Sequence, residues 1–400
     1  MAPHSALATR AVHAGRDDLT DLGVHAVPLD LSTTYPARDS AAEAARLDVF
    51  ATGAESPGPP IYGRVGNPTV SRFEAALADL EGCESAVAFA TGMAALSACL
   101  LAAVASGRPH VVGIRPLYGT TDHLLNSGLL GTQVTWVSDP AKVGPALRND
   151  TGLVVAETPA NPTLTEIDLA ALAADCGGVP LLVDNTFATP VLQRPSEHGA
   201  RLVLHSATKF LGGHGDVMGG IVACDEATAR TLRPVRNATG AVLHPLAGYL
   251  LLRGLATLPV RVRAASATAA ELADRLARHP RVTAVHYPGR NPHRPAGQLD
   301  GGGALVSFEL TGDPRTVASA VRLITPAVSL GTVDTLIQHP ASLTHHSVDP
   351  ADRQASGISD SLLRMSVGLE DVDDLWADLD QALTSHTEAD QAYSTAVSRS

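Results

Sequence analysis

The sequence predicts an α/β protein: a mostly parallel sheet covered on both faces, followed by a smaller C-terminal α+β domain. Three observations predict it. From about residue 66, short continuous apolar runs bounded by Gly, Pro, Asn or Asp alternate with segments of helical spacing. Those runs carry too little polar alternation for a sheet with one wet face, which points to strands buried on both sides. Beyond about residue 255 the pattern changes to a long alanine-rich helical stretch and then to strand-like runs.

Taken in chain order, the segment Ala51 to Pro60 is rich in Gly and Pro and makes residues 1–65 read as an extended arm. Asn67-Pro68 then supplies an N-cap and a pre-set first helical residue. Val70, Phe73, Leu77 and Leu80 form one apolar stripe, and Gly82 offers the stop. Seven short strands are expected at Ser85–Ala90, His110–Ile114, Gln133–Val137, Leu153–Glu157, Pro180–Asp184, Leu202–His205 and Gly220–Cys224, most with a helix-length segment between them. These occupy a large domain over 66–255. A small domain over 256–385 contains the helical stretch Ala264–Arg278 and strand-like Val282–His286 and Ala304–Leu310, and the polar, Ser-rich residues 386–400 read as a frayed tail.

Composition narrows the function. The chain of 400 residues has 45% hydrophobic and 18% charged residues, as soluble globular proteins do. Lys and Arg number 29 against 41 Asp and Glu, a net charge of −12, so no overall basic field exists to hold nucleic acid or anionic lipid. Small-molecule chemistry is the better expectation. Cys83, Cys99, Cys176 and Cys224 form no CxxC pair and read as buried thiols in a reducing compartment. Residues 1–30 lack an uninterrupted apolar core, and no run approaches a membrane span, so the expected location is the cytoplasm. His345-His346 with His339, or His205 with His214, match no HExxH or Cys/His spacing, so no metal site is expected.

In a parallel sheet, ligands bind beyond the carboxyl ends of the strands, and three such ends carry chemistry. Ser206-Ala-Thr208-Lys209 follows the strand Leu202–His205 and precedes a Gly-rich turn. This lysine reads either as a desolvated amine for carbonyl chemistry or as a solvated residue of the turn. Asp184 closes the run Pro180–Asp184. Buried, it would need a cationic partner such as a protonated heteroaromatic nitrogen; otherwise it caps a turn. Thr91-Gly92-Met93 opens a helix after Ser85–Ala90, where backbone amides would point at a phosphate or simply close a tight turn.

Together the motifs Tyr62-Gly-Arg64-x-x-Asn67-Pro68-Thr69, Thr91-Gly-Met-Ala-Ala95, Leu117-Tyr118-Gly119, Glu157-Thr-Pro-Ala-Asn161-Pro162, Asp184-Asn-Thr186, Ser206-Ala-Thr-Lys209, Ser329-Leu-Gly331, His339-Pro-Ala-Ser-Leu-Thr-His345 and Leu363-Arg364-Met-Ser-Val-Gly-Leu-Glu370 run almost from end to end. They resemble the Cys/Met-metabolism family of pyridoxal-phosphate (PLP) enzymes, the group of cystathionine γ-synthase, cystathionine γ-lyase and methionine γ-lyase. The resemblance implies fold type I of the PLP-dependent transferases, with PLP as cofactor. It implies that Lys209 binds the cofactor covalently, Asp184 pairs with the pyridine nitrogen and Tyr118 stacks on the ring. Gly92, Met93, Ser206 and Thr208 would bind the phosphate, with Thr186 beside the ring. Tyr62 and Arg64 would arrive from a neighbouring subunit, so the site needs a dimer, and two such dimers would form a homotetramer.

The same resemblance makes Arg364 the anchor of a substrate carboxylate, with Asn161 and Ser329 orienting it. Lys209 would move the α-proton, and Tyr118 would protonate a leaving thiol. Members acting on cystathionine commonly carry Glu where this chain has Val328, which suits an apolar thioether better than a distal ammonium. The segments around Ser361–Asp374 and Thr239–Val242 also look most like the methionine γ-lyases. The expected reaction is therefore γ-elimination of L-methionine to 2-oxobutanoate, methanethiol and ammonia. Thr120, Arg236 and Asn237 depart from that subgroup, where Cys and a Lys-Asp pair stand. This keeps cystathionine γ-lyase and γ-replacement by a cystathionine γ-synthase or O-acylhomoserine sulfhydrylase open as alternatives.

Overall fold

The computed structural model describes residues 5–55 and 58–397, with side chains described to residue 384. Seven strands, β1 (Ser85–Phe89), β2 (His110–Ile114), β3 (Gln133–Val137), β4 (Thr151–Glu157), β5 (Leu181–Asp184), β6 (Leu202–His205) and β7 (Gly220–Cys224), form one sheet in the order β1-β7-β6-β5-β4-β2-β3. Neighbours pair parallel except β7, which runs antiparallel to both β1 and β6. The fold is α/β, as the buried runs predict.

Successive residues of each strand feed two different cores. Ala86 and Ala88 of β1 pack into one, with Val183, Val203 and Leu77, whereas Val87 and Phe89 pack into the other, with Leu96, Leu182 and Leu204. Fully burying a side chain of Leu or Phe size contributes about 1.5–3 kcal/mol, so both faces must be covered. Helix Pro68–Glu81 covers one of them. Asn67 Oδ1 accepts from the N–H of Thr69 and Val70, and Gly82 ends the helix with φ +72°, a conformation glycine adopts without strain.

A second sheet holds β8 (Val282–His286), β9 (Leu305–Leu310), β10 (Thr325–Pro326), β11 (Leu336–Gln338) and β12 (Leu362–Ser366) in the order β10-β11-β12-β9-β8. Its core joins Phe308, Leu363 and Met365 to Leu272 and Leu276. The helix expected at Ala264–Arg278 is part of a longer one, Pro245–Leu276, which passes through Pro259 and residue 255 without a break. His244 caps that helix at Leu246 N–H, and the Arg261 guanidinium donates to the Gly254 carbonyl at 2.7 Å, one turn before Pro259. The final helix, Val372–Val397, runs into the segment 386–400, whose last three residues lie outside the described residues. Among the described residues no helix is long and apolar enough to cross a membrane.

Candidate active site

Strands β4, β5 and β6 are parallel, and the chain leaves β1 in the same sense. Glu157, Asp184, Ser206 and Thr91-Gly92 are therefore gathered at one edge of the sheet. The loops there hold one another. Thr186 Oγ1 accepts from Ser206 N–H at 2.8 Å, and Thr208 Oγ1 accepts from Gly219 N–H at 3.1 Å. Gly92 fits because it lacks a side chain: a Cβ there would lie 2.9 Å from Ser206 Cβ. Thr91 Oγ1 caps the helix Gly92–Ala105 at Ala94 N–H, so the first amides of a full-length helix face the small hydroxyl residues of the Ser206 turn.

A cavity of about 630 Å³ opens over this edge. Gly92, Met93, Tyr118, Asn161, Asp184, Thr186, Ser206, Thr208, Lys209, Val328, Ser329 and Arg364 all line it. Tyr62 and Arg64 do not. Within one chain Arg64 donates to the Asn237 carbonyl at 2.8 Å, its guanidinium lies 5.6 Å from the centre of the half-exposed Tyr62 ring, and it lines a separate cavity with Glu74 and Arg233. Of the three departures noted in the sequence, Arg236 and Asn237 line that separate cavity as well. Arg236 is buried against Glu74 at 2.6 Å, whereas Thr120 lines the main cavity.

Lys209 points into the cavity, where Nζ donates to Ser329 Oγ at 2.7 Å. Burial, and then the Arg364 cation, lower its amine to about 8. Ser329 itself has φ +93°, a left-handed conformation that costs a non-glycine residue on the order of 1–3 kcal/mol. That geometry lets the residue serve two groups, because its carbonyl also accepts from Arg364 Nη2 at 2.9 Å.

Arg364 on β12 is almost wholly buried, and it donates through Nη1 to Asn161 Oδ1 at 2.7 Å. The Gln338 carboxamide oxygen, in the orientation that satisfies both groups, accepts from its Nε at 3.2 Å. Its guanidinium carbon lies 5.8 Å from the Phe187 ring centre. Burial lowers the guanidinium to about 10, against the pull of Glu157 and Tyr118, and at neutral pH it remains a cation aimed at the cavity. A planar cation held on fixed partners suits a carboxylate.

Asp184 accepts from Thr186 N–H at 3.0 Å and has no ion pair among the described residues. Burial raises its carboxyl, against the Thr186 hydrogen bonds and His205. A buried carboxyl without a cation, beside a depressed lysine amine and a Gly92 cradle, is the arrangement that a protonated pyridine ring carrying an aldehyde and a phosphate would complete. The residues present fit pyridoxal phosphate on those grounds.

Sequence reasoning assigned no role to Glu157, Phe187, Met218 or Leu343, all of which line the same cavity. Glu157 was visible as a carboxylate at a strand end, the signal that singled out Asp184. Burial, and then the Asp184 carboxyl, raise it well above the usual carboxylate range. His345 is fully buried and lowered to about 4 by burial and Arg364; its neutral ring donates through Nε2 to the Leu117 carbonyl at 3.2 Å and braces the Tyr118 loop. His205 lies in the core as the partner of Glu81 at 2.6 Å, and the described residues contain no cluster of His, Cys, Asp and Glu able to hold a metal.

Known proteins resemble the chain over nearly its whole length. An L-methionine gamma-lyase from Streptomyces avermitilis is 70% identical over 379 residues, spanning 94% of this chain and 89% of that protein. One from Brevibacterium sandarakinum is 55% identical over 94% of this chain and 96% of its own length. Among solved structures, a cystathionine gamma synthase from Xanthomonas oryzae superposes with a TM-score of 0.86 at 36% identity, over 96% of this chain and 99% of that one. The family model described as Cys/Met metabolism PLP-dependent enzyme matches residues 8–384: the chain belongs to that family.

Proposed function

We propose that this protein catalyses γ-elimination of L-methionine, in which water enters and 2-oxobutanoate, methanethiol and ammonia leave. The observation that carries the reading is the 70% identity, over nearly the whole chain, with an L-methionine gamma-lyase. The cavity supports it. Met218, Val328 and Leu343 are exposed apolar side chains that line it, offering a thioether dispersion contacts and no counter-charge for a distal ammonium.

Pyridoxal phosphate, when bound, supplies an electron sink conjugated to the substrate α-carbon. The Gly92 and Met93 amides and the Ser206 and Thr208 hydroxyls would hold its phosphate, Tyr118 and Thr186 would hold its ring, and Asp184 would pair with its ring nitrogen. Arg364 grips the substrate α-carboxylate, set by Asn161 and Ser329. Lys209 would hold the cofactor, and its amine, at about 8, is the base placed to take the proton from the substrate α-carbon. Once a second proton has left the β-carbon the Cγ–S bond can break, and Tyr118 Oη would give a proton to the departing sulfur.

Tyr62 and Arg64 complete the phosphate site of a second copy. Of the sixteen exposed large apolar side chains among the described residues, eight lie between Val12 and Tyr62, which supports an arm (1–65) that packs on a partner. The arm, a large domain (66–255), a small domain (256–385) and a tail (386–400) make up the chain. Pairing of two catalytic dimers gives a homotetramer. Four free cysteines support a cytoplasmic location.

Cystathionine chemistry, by γ-cleavage or γ-replacement, is the second reading, favoured by the likeness to the Xanthomonas cystathionine gamma synthase. Turnover by the cofactor-loaded enzyme decides between them. A kcat/KM for L-methionine above that for L-cystathionine is expected, and the reverse order overturns the methionine reading. Light scattering at the mass of two chains would contradict the tetramer.

A further inference from the structure

Glu157 closes β4 in register with Asp184 of β5, on the same pleat face, and is buried at 4% exposure. The strand does not require a carboxylate there, since Val155 on the same face is apolar and equally buried. A buried carboxyl is costly unless its oxygens are used, and both are. Oε2 accepts from Tyr118 N–H at 2.7 Å, and Oε1 accepts from Asn161 N–H at 3.1 Å.

The two amides belong to different loops with different tasks. Tyr118 follows β2 and opens the helix Gly119–Ser127, whereas Asn161 follows β4 itself. The Asn161 side chain in turn accepts from Arg364 Nη1 at 2.7 Å. One side chain therefore joins the residue that faces the cofactor ring to the residue that aims the carboxylate anchor. We infer that Glu157 is a positioning residue: its carboxyl group fixes Tyr118 and Asn161 relative to one another and so couples retention of the cofactor to binding of the substrate carboxylate. This rests on the roles proposed above for Tyr118 and Arg364.

Glu157→Met keeps the volume and removes both acceptors, whereas Glu157→Gln retains one acceptor oxygen. In the folded Met variant the dissociation constant for pyridoxal phosphate and the KM for L-methionine should both rise at least tenfold. Visible circular dichroism of the bound cofactor should weaken, and the Gln variant should recover part of each loss. A merely structural role would lower the thermal midpoint and leave these constants within twofold for the folded fraction, which would overturn the inference. Should the Met variant not fold, amide hydrogen exchange on the wild-type holoenzyme decides. Slow exchange at Tyr118 and Asn161 is expected, and rates typical of solvated loop amides would overturn it. If wild-type enzyme leaves methionine untouched, the substrate reading fails, while the cofactor constant and the exchange rates still judge Glu157.

Discussion

Capture of pyridoxal phosphate by the apoprotein should follow the ionisation of one amine. Only a neutral amine attacks an aldehyde, and Lys209 is lowered from 10.5 to about 8 by burial first and by Arg364 second. At pH 7.5 an amine at about 8 is roughly one quarter neutral, against about 0.1% for one at 10.5, a gain of roughly 200-fold in reactive form. The assay is the second-order rate of cofactor capture between pH 6 and 10, read by visible absorbance and divided by the rate for a free lysine derivative, which removes the titration of the cofactor itself. Divided in this way, the rate should stay level below pH 8 and fall about tenfold per pH unit above it, as the reference amine goes on losing its proton. A ratio that stays level through pH 9 and 10 would refute the depressed amine, and capture by Lys209→Ala would refute the choice of lysine. The same depression enters stability. Between about 8 and 10.5 the unfolded apoprotein binds more protons at this site, so Lys209 makes stability rise with pH across that window, and its full penalty of at most about 3 kcal/mol is present below 8. Lys209→Met should abolish that segment of the pH dependence of apoprotein unfolding.

Three further outcomes follow from the cavity. Val328→Glu should lower kcat/KM for L-methionine and raise the ratio of cystathionine to methionine turnover about tenfold, since it replaces an apolar contact for a thioether with a counter-charge for a distal ammonium; parallel kinetics with both substrates check it. Gly92→Ala places a Cβ 2.9 Å from Ser206 Cβ and should weaken cofactor binding by roughly ten- to hundredfold, in line with about 1–3 kcal/mol for overpacking, which a cofactor titration measures. Arg364→Lys loses the fork that meets Asn161 and Ser329 and should raise KM for L-methionine about thirtyfold or more with a smaller change in cofactor affinity; equal effects on both would contradict the carboxylate role.

Much of the architecture was legible because the strands are continuous apolar runs with no polar face to confuse their period. Four of the seven, at β2, β3, β6 and β7, have the expected bounds, and the other three differ by one or two residues at an end. The long helix Pro245–Leu276 was read only from Ala264; it includes Pro259, a residue that ordinarily breaks a helix and is here buried inside a continuous one. Lys209 and Asp184 were legible as charged residues ending apolar strands. Glu157 has the same signature, yet its partners are backbone amides of loops 39 and 4 residues away, which side-chain spacing does not reveal. Tyr62 and Arg64 stood out as a motif, but within one chain Arg64 turns to Asn237 and a separate cavity, with the Tyr62 ring beside its guanidinium. On the proposed reading their place in a catalytic site depends on a second copy.

Product analysis of the cofactor-loaded enzyme with L-methionine decides whether the protein performs the γ-elimination. Methanethiol and 2-oxobutanoate should appear in equal amounts, with one ammonia for each, and Lys209→Ala should form neither. A wild-type holoenzyme that leaves methionine unchanged while consuming cystathionine or an O-acylhomoserine would contradict the claim.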